Sequence, residues 1–110
     1  MKIYLIMPVR GATESFIDYV QTLESEGHEV HYPTRDAPQD CPTGEAICRT
    51  HRDAMIQADA VHVLWDVESK GSHFDLGMAY ALRKPIVAVK CLRPDPAGKS
   101  YWKAVCTALT

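Results

Sequence analysis

The sequence predicts an α/β fold, a three-layer α/β/α domain on a parallel sheet, and three observations carry that prediction. Short apolar runs biased to β-branched and aromatic residues alternate with longer segments of helical period. The runs at residues 2 to 7 and 60 to 65 are almost continuously apolar, as central strands covered on both faces should be. The order strand then helix recurs along the whole chain, which demands parallel neighbours joined by right-handed crossovers.

Taken in order, "KIYLIM" (2 to 7) is the first strand. Thr13 is placed to cap a helix running to about residue 26, with Phe16, Ile17, Val20 and Leu23 on one face and Gly27 ending it. "HEVHY" (28 to 32) alternates and reads as an exposed, edge strand. The longest irregular stretch, "PTRDAPQDCPTGE", follows, and long loops in compact domains are often functional. Residues 44 to 58 form a second helix on the stripe Ile47, His51, Ala54, Met55 and Ala58. "AVHVLW" (60 to 65) is the third strand, the loop "DVESKGS" leads to a helix from about 73 to 83, and "KPIVAV" (84 to 89) is the fourth strand. After "CLRPDPAG" a last helix, "KSYWKAVCTAL", closes the chain without a fifth strand. The apolarity of strands one and three makes them central and favours the flavodoxin/Rossmann-like order 2-1-3-4.

At 110 residues the chain reads as one domain, 1–110, able to bury roughly two thirds of its unfolded surface. Its net charge of -2, with the two signs interspersed, argues against a nucleic-acid polymer or a membrane surface as partner and for a small molecule. No apolar run suits a signal peptide or a membrane span, so the expected location is cytoplasmic. The spacing of Cys41, Cys48, Cys91 and Cys106 matches no zinc pair, and the reading is reduced thiols, two or three of them buried. His28 and His31 lie an odd number of residues apart in a strand, which sends them to opposite faces and predicts solvent and packing roles, with no metal site. "HRD" (51 to 53) comes without the other kinase motifs. "GSHFDLG" is no dinucleotide fingerprint, so no cofactor is expected.

In a sheet of this order the winding reverses between strands one and three, and ligands bind outside the carboxyl ends there. Two loops line that crevice. "PVRG" supplies Arg10, suited to a phosphate or carboxylate, and Gly11. "DVESKGS" supplies Asp66, Ser69, Gly71 and Ser72 just before a helix, whose free N–H groups form an anion seat. Asp75 falls in the first turn of that helix, where the dipole should keep it ionised at neutral pH. It is either an ordinary first-turn acid or the working group of a site. Arg10 is equally readable as a surface cation, Asp66 as a residue that ends its strand by bonding backbone N–H groups, and His51 as a satisfied core histidine or a group reaching the crevice.

The stretch "ADAVHVLWDVESKGSHFDLGMAYALRKPIVAV" resembles the signature of the nucleoside 2-deoxyribosyltransferase superfamily, which includes the 2'-deoxynucleoside 5'-phosphate N-hydrolases. That family carries "AD-V-V" into strand three, a serine and glycine loop, then "ELG-A-ALGKPI". "IYLIMPVRG" is similar to its opening strand, and together these motifs span roughly the first 90 residues, the middle loop apart. The resemblance implies that Asp75 stands at the nucleophilic glutamate, that Arg10, Gly11 and Ser69 match the phosphate-holding positions, and that Tyr4 matches a tyrosine contacting the sugar or the nucleophile. Three departures are visible: Asp75 is shorter than glutamate, Pro8 replaces a serine, and His51 stands where the family often has an aspartate that handles the base or sugar. The implied activity is cleavage of an N-glycosidic bond, hydrolytically or by transfer, on a nucleoside 5'-monophosphate. The alternative is a nucleotide-binding or sensing module that keeps the crevice without catalysis, and a third is an interaction protein. A homo-oligomer is expected, with Tyr101 and Trp102 as candidate contacts or core residues.

Overall fold

The computed structural model describes residues 1–8, 14–32 and 42–108. Its elements are β1 (Lys2–Ile6), α1 (Glu14–Ser25), β2 (Glu29–His31), α2 (Glu45–Gln57), β3 (Ala60–Asp66), α3 (Lys70–Ala81), β4 (Ile86–Arg93), α4 (Tyr101–Val105) and β5 (Thr107–Ala108). All strands pair in parallel in the order β2-β1-β3-β4-β5, so the expected order 2-1-3-4 holds and a fifth strand is added at its end.

The period of two in β1 explains the layers. Tyr4 and Ile6 point to one face and pack with Met55 of α2, Leu76 and Ala79 of α3, and Trp102 of α4. Ile3, Leu5 and Met7 point to the other and pack with Phe16, Val20 and Leu23 of α1. Right-handed crossovers account for this division: the chain moves one way across the sheet from β1 to β2, and the opposite way at every later crossover. Among the described helices, α1 alone therefore covers its face.

Several boundaries depart from the sequence reading. Helix α3 begins at Lys70, because Ser69 caps it by accepting from the Ser72 backbone N–H at 3.4 Å. Asp75 consequently lies in the second turn instead of the first. Strand β4 runs on through "KCLR", following β3 past two register shifts so that Cys91 pairs with Trp65 and Arg93 with Asp66. The last helix stops after five residues at the extended Cys106, and β5 follows. Trp102 belongs to the core, stacked on Trp65 at 5.9 Å between ring centroids, while Tyr101 is 70% exposed. The cysteines also differ from expectation: Cys48 and Cys91 are exposed and Cys106 is half-buried. Gly27 ends α1 as predicted, with φ 94°, a conformation costly for any residue carrying a Cβ. No described helix is long and apolar enough to cross a membrane.

Candidate active site

A cavity of ≈ 430 Å³ opens at the carboxyl ends of β1 and β3, within the size range of small-molecule sites. Met7 follows β1 into it. One wall is α2, through Gly44, Ile47, Cys48 and His51, and the other is the first turns of α3, from Ser69 to Ser72 with Phe74 and Asp75. This is the switch point of the sheet, where adjacent connections leave in opposite directions and open a crevice.

The amino end of α3 is built to present donors. Ser69 Oγ accepts both the Ser72 backbone N–H and, at 2.8 Å, the Ser72 hydroxyl. Both lone pairs are thereby occupied, and the Ser69 O–H proton is what these two bonds leave uncommitted. Gly71 and Lys70 are exposed beside it, so a cation stands next to the helix N–H groups on the cavity wall.

Asp75 is only 5% exposed although it lines the cavity. Its Oδ2 accepts a 2.9 Å hydrogen bond from the hydroxyl of Tyr4, which is itself fully buried and reaches from the central strand behind it. Burial pushes the Asp75 carboxyl up to about 6, and the Tyr4 hydrogen bond acts against that rise. The group stays mostly ionised at neutral pH, as expected, but a hydrogen bond from β1 opposes its desolvation where the first-turn dipole was to have done so. Burial, then the Asp75 charge and hydrogen bond, raise the Tyr4 phenol far above its ordinary range, so it remains a donor.

His51 is 5% exposed and sits on the opposite wall. Its Nδ1 lies 3.0 Å from Nε2 of His31, and burial together with that neighbour lowers its pKa to about 4. The His31 ring in turn stacks on Tyr4 at 5.1 Å, and the Tyr4 and His51 rings meet edge to face at 5.7 Å. Asp66 stands apart from the cavity lining. Its Oδ1 accepts the Glu68 N–H at 2.9 Å and Oδ2 lies 3.8 Å from Arg93 Nε, an arrangement that ends β3 and anchors the following turn. Arg10 and Gly11 lie outside the described residues. Among the described residues no cluster of His, Cys, Asp and Glu is placed to hold a metal ion.

The profile of the nucleoside 2-deoxyribosyltransferase family matches residues 3–96, a span that includes every described residue of this cavity. The chain belongs to that family. Membership places it among nucleoside-modifying enzymes. The fold of this deoxyribosyltransferase-family chain is similar to that of the CMP N-glycosidase BcmB of Clostridium botulinum, at 18% identity and a TM-score of 0.69, over 99% of this chain and 86% of that one. It is similar also to a 2-deoxyribosyltransferase of Bacillus psychrosaccharolyticus, at 19% identity and a TM-score of 0.75, over 100% and 86%. No curated protein matches it by sequence.

Of the residues singled out by sequence, the deoxyribosyltransferase fold brings together Tyr4, His51, Ser69, Gly71, Ser72 and Asp75. Sequence reasoning passed over Lys70, Cys48 and above all His31, which it grouped with His28 in solvent and packing roles. The register holds the missing signal: Tyr4 and His31 are partners across β1 and β2 and so share a sheet face.

Proposed function

We propose that this chain cleaves the N-glycosidic bond of a nucleoside 5'-monophosphate, by hydrolysis or by transfer to a second base, with Asp75 as nucleophile. The observation that carries the reading is a nearly buried carboxylate, bonded through one oxygen to Tyr4, on the wall of a nucleoside-sized cavity beside a serine-capped helix end. With Oδ2 held by Tyr4, Oδ1 attacks C1' of the sugar. The C1'–N bond breaks through an oxocarbenium-like state and its electron pair leaves with the base. Water or an incoming base then takes C1', its proton passing to the base that left with the electron pair, and the Asp75 carboxylate is released. The Ser69 hydroxyl, oriented by its two bonds from Ser72, and the Gly71 N–H, with Lys70 and Arg10, hold the phosphate. No metal or cofactor enters this scheme.

The reading also includes self-association through the outer face of α3, where Phe74, Gly77, Tyr80 and Ala81 are exposed. Incubation with a panel of ribo- and deoxynucleoside monophosphates tests the activity through release of free base, with Asp75→Asn as the inactive control. Absence of release from every substrate at high enzyme overturns it. Calorimetric binding of nucleotides without turnover, unchanged in Asp75→Asn, would establish a nucleotide-binding module in its place.

A further inference from the structure

We infer that His73 is a positioning residue: together with Asp66 it holds both poles of the Val67–Glu68 peptide, and so fixes the turn that delivers the Ser69 hydroxyl to a phosphate. The catalytic consequence rests on the nucleotide reading above, and the clamp itself on geometry.

His73 is the fourth residue of α3, and its ring turns back over the loop that leads into the helix. Its Nε2 lies 2.8 Å from the Val67 carbonyl oxygen, six residues earlier. A carbonyl oxygen only accepts, so the proton stands on Nε2 whether the imidazole is neutral or charged. The His73 and Trp65 rings meet edge to face at 4.7 Å, and Trp65 is itself fixed in the core against Trp102. The donor is thus aimed by ring packing as well as by the helix.

The other pole of the same peptide is the Glu68 N–H, which donates to Asp66 Oδ1 at 2.9 Å. Asp66 is nearly buried, and its second oxygen faces Arg93 Nε at 3.8 Å, so this acceptor is held as well. A peptide is planar, and one bonded at a single pole can swing about that bond. Bonded at both, to groups anchored in the sheet and in the helix, it keeps one orientation. Ser69 follows directly, its N–H bonded to the Asp66 carbonyl at 3.0 Å and its own carbonyl to the His73 N–H at 3.3 Å. His73 therefore closes the turn twice, by backbone and by side chain, around a residue of the cavity wall. Neither His73 nor Asp66 lines the cavity, so both act through Ser69.

The use of the clamp is preorganisation. Because the His73 ring is exposed, water can replace its donor at Val67, and the loss costs little in folding. It does free the turn to swing, and ordering Ser69 then falls on the binding step. A ligand that carries phosphate feels that cost, and one without phosphate does not.

Amide hydrogen exchange and a phosphate titration test the clamp without turnover. In the ligand-free wild type the His73 ring is expected to carry its proton on Nε2. His73→Phe, which keeps a ring against Trp65, is expected to speed exchange of the Glu68 amide about tenfold. Inorganic phosphate is expected to shift the Ser69 and Gly71 amide resonances, with an affinity about fivefold weaker in His73→Phe. His73→Gln, whose amide N–H has about the reach of Nε2, recovers both. In turnover, His73→Phe raises KM for a nucleoside monophosphate by the same factor at unchanged kcat, and leaves the phosphate-free nucleoside as it was. A His73 ring protonated on Nδ1 alone, a Glu68 amide indifferent to His73→Phe, or wild-type amides that ignore phosphate overturns the inference. An equal loss with both substrates overturns it too, by showing a general structural effect. Absence of base release in the wild type overturns the glycosidase reading alone, because exchange and titration are measured independently. Should His73→Phe fail to fold, His73→Asn, whose amide falls short of Val67, takes its place.

Discussion

Asp75 is a residue whose setting opposes stability. Its carboxyl titrates at about 6 in the fold against 3.8 ordinarily. Between those values the native state binds more protons than the unfolded chain, so stability falls as pH rises and the deficit is complete above the folded pKa. At 1.36 kcal/mol per unit this reaches about 3 kcal/mol at neutral pH. Asp75→Asn is expected to melt several degrees above the wild type at neutral pH, to melt together with it at about pH 3, below the unfolded pKa, and to release no base; calorimetric scans at the two pH values check the first two. Tyr4→Phe removes the hydrogen bond that lowers the Asp75 pKa. The acid limb of kcat/KM, expected near about 6 in the wild type, should then move to higher pH, which a pH–rate profile reads directly. The carboxylate itself was legible in the sequence as an acid among apolar neighbours. Its partner was legible only through the family resemblance, because 71 residues separate Tyr4 from Asp75 and no local pattern joins them.

At the scale of elements, α3 carries the site by its amino end. Ser69 both caps the helix and offers its hydroxyl at the proposed phosphate position, so its loss should act twice. Ser69→Ala is expected to lower stability by about 1 kcal/mol and to raise KM for a nucleoside monophosphate about tenfold, with the phosphate-free nucleoside turned over as before. Denaturant melts and paired kinetics separate the two effects. The start of this helix was misplaced by sequence reasoning because Lys70 and Gly71 interrupt any apolar stripe. The capping serine three residues before a second serine was the signal available. Strand β5, at two residues, is too short to carry periodicity, and the extension of β4 beyond residue 89 was hidden by register shifts that break its alternation. The fold class and strand order survived these errors. They depend on which segments are strands and on crossover handedness, and neither shifts when a boundary moves by a few residues.

Across the whole molecule, the distribution of apolar surface bears on assembly. Tyr101 and Trp102 were the candidate contacts from sequence, but Trp102 is occupied by Trp65 in the core. The outer face of α3 is the better candidate: Phe74 is 56% and Tyr80 65% exposed, with Gly77 and Ala81 between them leaving room for another chain to approach closely. A surface helix normally turns polar residues outward, and a helix apolar on both sides has a second surface to cover. Because Phe74 also lines the cavity, a copy docked on this face would lie against the mouth of the site and limit the water that reaches the glycosyl intermediate. Tyr80 lies outside that lining, so Tyr80→Glu tests the interface while sparing the cavity wall. Light scattering is expected to give a dimer or larger species for the wild type and a monomer for Tyr80→Glu, with base release by the monomer reduced and partly restored at high protein concentration. A wild type that remains monomeric over the whole concentration range assayed, at full activity, would show that the cavity is complete in one chain.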